Sequence, residues 1–64
     1  MNVKVIRTKM GLSRKDFAAH FGVPVRTLEE WEVGRRVPAE YIPKMMEMIL
    51  DLEEKVRKLE EENE

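Results

Sequence analysis

The chain contains no cysteine, which excludes disulfides and thiolate metal sites and fits a reducing compartment. Its one histidine, His20, has no cysteine or second histidine with which to share a metal ion, so neither a metal nor a cofactor is expected. The longest apolar run falls far short of the roughly 20 residues that span a bilayer. Lys4, Arg7 and Lys9 interrupt the first ten residues where a signal peptide would have its apolar core. The reading is a cytoplasmic protein with no membrane association. Sixty-four residues make one domain with a core that is marginal unless partners add burial. So thin a chain offers no enclosed pocket to perturb Ser13, Asp16, His20, Glu29, Glu30 or Glu32, which argues against an enzyme.

Charge is plentiful, at 39% of residues, and unevenly placed. Residues 1–50 carry nine Lys or Arg against six acids, a net +3, while residues 51–64 carry three bases against seven acids, a net −4. A basic body can meet phosphates, and an acidic tail must keep away from them. The chain therefore divides into a body, 1–50, and a C-terminal helical extension, 51–64.

Within the body, Ser13 can cap a helix, with Asp16 three residues on as a short capping box. Phe17, Ala18 and Phe21 then form one apolar face before Gly22 ends the helix. Gly22, Val23 and Pro24 form a tight turn. A second helix follows with Leu28 and Trp31 inward and Arg26, Glu29, Glu30 and Val33 on the other side, and it stops at Gly34. The spacing predicts helices over 3–9, 14–21 and 25–33, a loop over 34–38, and a fourth helix that starts between 39 and 42 and runs without a break into the tail. Val3, Ile6 and Met10 face inward on the first helix. Pro43 is tolerable only in a first turn, where its missing N–H would have had no helical partner. Met45, Met46 and Met48 follow helical spacing beside Ile49 and read as packing. Tyr41 can place its ring on the core and leave its hydroxyl free.

The run Gly11-Leu12-Ser13, Phe17-Ala18, Phe21-Gly22-Val23, Arg26-Thr27-Leu28, Trp31-Glu32 and Gly34 through Pro38 resembles the helix-turn-helix of the phage lambda repressor and Cro proteins, the XRE-like family. The resemblance covers roughly residues 3–49 and implies an all-α, four-helix DNA-binding domain. In such proteins the start of the second helix of the motif reads base edges. Here that implies Val25, Arg26 and Thr27, with Glu29 and Glu30 one turn deeper. Arg26 can fork onto guanine O6 and N7, Val25 can pack on a thymine methyl, and Glu30 can accept from cytosine N4. Either acid can instead steer Arg26 or pair with Arg14. The resemblance further implies phosphate contacts by Arg14, Lys15, Arg35, Arg36, Lys44 and the Tyr41 hydroxyl, and an inward-facing ion pair between Arg7 and Glu32. Two departures stand out: Arg14 replaces a common glutamine, and Pro24 replaces a common Ser or Thr cap.

The tail carries a second pattern. Ile42, Ile49, Val56 and Asn63 fall at heptad position a, and Met45, Leu52 and Leu59 at d, the combination favoured by parallel two-stranded coiled coils. Lys55 at g can pair with Glu60 at the following e of a partner. The other possibilities are a helix folded back on its own domain and a frayed charged end. Ile49, Leu52, Val56, Leu59 and Asn63 are thus the dimerisation candidates. The sequence reads as a dimeric, sequence-specific regulator that binds double-stranded DNA, most simply a repressor. The alternative is a protein-interaction module, antitoxin-like or an adaptor, that holds a protein partner with the acidic helix and methionine-rich face.

Overall fold

The structure, a computed structural model, describes residues 1–62 of the chain, so Asn63 lies outside the described residues. Four helices follow one another: α1 (Val3–Met10), α2 (Arg14–Phe21), α3 (Val25–Val33) and α4 (Tyr41–Glu62). The fold is all-α. Each boundary has a local cause. The Asn2 side chain accepts from the Val5 amide at 2.9 Å and opens α1, and Ser13 Oγ accepts from the Asp16 amide at 3.1 Å and opens α2. Asn2 stands directly before the apolar periodicity, where a cap residue signals a helix start.

Between α2 and α3 the chain turns within three residues. Gly22 takes φ 68°, the left-handed region open to glycine, and this lets the Val23 amide reach back to the Ala18 carbonyl at 2.9 Å. Pro24 then enters α3 at φ −59° without any side-chain cap, its carbonyl accepting from the Leu28 amide at 3.2 Å. The pyrrolidine ring does by restriction what a serine would do by hydrogen bonding.

The core is small and draws on every helix: Val3 and Ile6 of α1, Phe17 and Ala18 of α2, Leu28 of α3, and Met46 and Leu50 of α4. Met10, Phe21, Trp31 and Ile42 pack around it, half-buried. Phe17 and Phe21 stack at a tilt, 4.7 Å between ring centres. α4 packs on α1, and α2 packs on α3. Pro43 sits in the first turn of α4, as its chemistry requires.

Three side chains lie elsewhere than their spacing suggests. Met45 and Met48 are half or more exposed, because the buried face of α4 runs through Met46 and Leu50. Tyr41 is also exposed, its ring away from the core. Beyond Leu50, Leu52, Val56 and Leu59 stand open on one side of α4, while Glu53, Glu54 and Arg57 on another side line a hollow with Met10, Leu12 and His20.

Candidate nucleic-acid interface

α3 is fastened from behind and free in front. Leu28 is fully buried and Trp31 partly so, which fixes the helix on the body. On the outer face Arg26, Glu29, Glu30 and Val33, spaced i, i+3, i+4 and i+7, join Arg35 around an open depression of about 580 Å³. Val25 stands exposed at the start of the helix, and Thr27 is half-buried. Val33 is 65% exposed in the same depression. Its place seven residues past Arg26 is the signal that puts it on this face.

A partly buried ion pair sets how α3 meets its neighbours. The Arg7 guanidinium donates side-on to Glu32, Nε to Oε2 at 2.8 Å and Nη2 to Oε1 at 2.9 Å, while Nη1 donates to the Leu12 carbonyl at 3.1 Å. The Glu32 side chain is 1% exposed, yet every one of its oxygens is paired. Arg14 Nε approaches Oε1 at 3.3 Å from the first turn of α2. Burial pushes the Glu32 carboxyl upward, but the hydrogen bonds and charges of Arg7 and then Arg14 outweigh it and hold the carboxyl below the usual carboxylate range. The Arg7 guanidinium is correspondingly raised by its bond to Glu32. Three helices thus meet at one carboxylate, with Arg14 half-exposed at its outer edge.

The remaining basic side chains divide. Arg36 forms an ion pair with Glu30, Nε to Oε2 at 2.9 Å, so Glu30 pairs with Arg36 rather than with Arg14. The amides of Arg35 and Arg36 both turn back to the Glu30 carbonyl, at 2.9 and 3.3 Å, which folds the loop against the end of α3. Arg35 shares the depression with Arg26. Lys15 is exposed beside Arg14 on α2, and Lys44 lines a separate hollow with Val37, Pro38, Glu40 and Pro43. Behind the interface, His20 Nε2 donates to Glu53 Oε1 at 2.7 Å and ties α2 to α4. Among the described residues, no group of three or more His, Asp or Glu stands together as a metal site, and no helix is long and apolar enough to cross a membrane.

Two short helices joined by Gly22, Val23 and Pro24, the second anchored inside and bare outside, define a helix-turn-helix protein. The chain belongs to that family: the helix-turn-helix family model matches residues 3–49, and the family is that of the XRE and lambda-repressor type DNA-binding regulators. No curated protein and no solved structure matches the chain.

Proposed function

We propose that the chain is a sequence-specific regulator of transcription, a repressor, that places α3 of each subunit of a dimer in successive major grooves of cytoplasmic DNA. The observation that carries this reading is the outer face of α3. Arg26, Glu30 and Val33 project from a helix whose opposite side is locked into the core, which suits a rigid reading surface.

In this reading Arg26 forks onto a guanine, Val25 meets a thymine methyl, Thr27 serves a base or a phosphate, and Glu30 accepts from a cytosine N4. Arg14, Lys15, Arg35, Arg36 and Lys44, with the Tyr41 hydroxyl, meet phosphates and supply the salt-sensitive part of the affinity. Residues 1–50 form the reading head. Residues 51–64 carry the acidic extension, whose Leu52, Val56, Leu59 and Asn63 continue from Ile49 a parallel seam between two copies. The reading gives the chain no catalytic role. Selection of bound duplexes from a random library by the purified full chain tests it. Enrichment of an inverted repeat supports the regulator. A chain that retains no duplex at low salt, yet forms a tight complex with another protein, is an interaction module instead.

A further inference from the structure

α4 leans on α1, and so leaves an apolar groove between itself and the α2–α3 pair. Phe21, Val23, Trp31, Ile42, Met45 and Ile49 line it, with Met46 at its floor, and no charged side chain takes part. Its volume is about 100 Å³, of the same order as the ~150 Å³ engineered cavity that takes up a benzene ring. Apolar walls of this kind hold water poorly.

We infer that a second copy of this chain covers this groove, so that the dimer interface reaches past the α4 seam to the back of α3 at Trp31. The inference rests on the dimer proposed above, and three observations choose its occupant. First, the groove and the heptad stripe are continuous: Met45 and Ile49 belong to both, and the stripe runs on through Leu52, Val56 and Leu59, each more than half exposed. Second, only those last three anchors lie beyond the body, whereas a self-sufficient coiled coil sustains its pattern over at least about three heptads. The missing apolar area has to come from the body.

Third, the flanks of the seam change character after Met48. With Ile42 and Ile49 at a, the e positions are Met46, Glu53 and Glu60, and the g positions are Tyr41, Met48 and Lys55. Flanking positions of a simple zipper are charged. Here they are apolar from Tyr41 through Met48 and charged from Glu53 onward. The hydrogen bond from His20 to Glu53 fixes the e flank as the one that faces the body. In a parallel pair the g flank of one helix lies along the e flank of the other, so the partner's Tyr41 comes over the groove that has Met46 at its floor. Tyr41 and Met48, exposed on their own body, become buried on the other. The tyrosine hydroxyl stays at the rim, as suits a ring with one polar end. Lys55 and Glu60 then pair between chains.

Trp31 is the only tryptophan, so its emission reports on the groove directly. Sedimentation and Trp31 fluorescence of the full chain over one dilution series provide the test, with Val23→Asp as the variant, since Val23 lines the groove and lies outside the heptad seam. The expected result is a blue shift of Trp31 that follows the same concentration curve as dimer formation, and a dimer weakened at least tenfold by Val23→Asp. A dimer that forms while Trp31 emission and its access to a soluble quencher stay constant overturns the groove proposal and leaves the seam. A chain that is monomeric at every concentration overturns both. The wild-type fluorescence decides the matter even where Val23→Asp fails to fold.

Discussion

The Glu30 carboxylate on the outer face of α3 is held by Arg36, Nε to Oε2 at 2.9 Å. A side chain proposed to read a base and one proposed to grip a phosphate are therefore partners in the free protein. Arg36 is 70% exposed, and exposed pairs of this kind contribute about 0–1 kcal/mol, so DNA can open the pair at little cost. Arg36→Ala should leave the melting temperature nearly unchanged, weaken binding to matched and unmatched duplexes alike, and reduce the salt slope by about one. Binding curves at several salt concentrations check this. A loss confined to one base pair would assign Arg36 to the reading surface instead.

Glu32 has the opposite standing, because its side chain is buried and three helices depend on it. Removing one partner of a buried pair costs about 3–5 kcal/mol, and in a domain of this size each kcal/mol lowers the melting temperature by about 4–8 °C. Glu32→Ala should therefore melt far below wild type or fail to fold, while Glu29→Ala, exposed on the same helix, melts with it. Thermal unfolding followed by circular dichroism separates the two.

The same carboxylate makes stability depend on pH. Its pKa lies lower in the folded chain than in the unfolded one, where a glutamate titrates near about 4.3. The stabilisation is thus complete above that value and is lost as pH falls through it toward the folded value. Wild type should show a steep acid loss in this window, and Glu32→Gln, already less stable at neutral pH, a flatter one. Parallel acid profiles for the two proteins would place the carboxylate outside the linkage.

Local chemistry made most of the fold legible. The bounds of α2 and α3 follow from Ser13, Gly22, Pro24 and Gly34, since caps and turn residues act on the few amides beside them. Long-range placement was harder. Periodicity groups Met45, Met46 and Met48 on one helix but does not say which side meets α1, and only packing against Val3 and Ile6 chooses Met46. The candidate site divides in the same way. Helical spacing sets out the α3 face, whereas the Arg36 to Glu30 pair depends on a loop folded back onto α3, which no periodicity encodes.

A seam along α4 makes affinity a property of two heads. Val56→Asp combined with Leu59→Asp, both on the part of α4 beyond the body, should leave the fold intact and the protein monomeric. Operator affinity should fall by about 10²–10⁴, the gain that tethering gives when spacing fits. Half-sites should lie about one helical turn apart, ~34 Å on one DNA face. Sedimentation with and without DNA measures both effects. A variant that dimerises and binds as tightly as wild type would reduce the stripe to a solvated helix face.

The reading surface itself is tested by Arg26. On a duplex selected by the full chain, every base pair is changed in turn and the affinities of wild type and Arg26→Ala are compared at fixed salt. The expected result is that Arg26→Ala relaxes the preference at one base pair, a guanine contact, by about 1–3 kcal/mol and leaves the other positions as they were. An unchanged preference at every position would contradict a reading role for the outer face of α3.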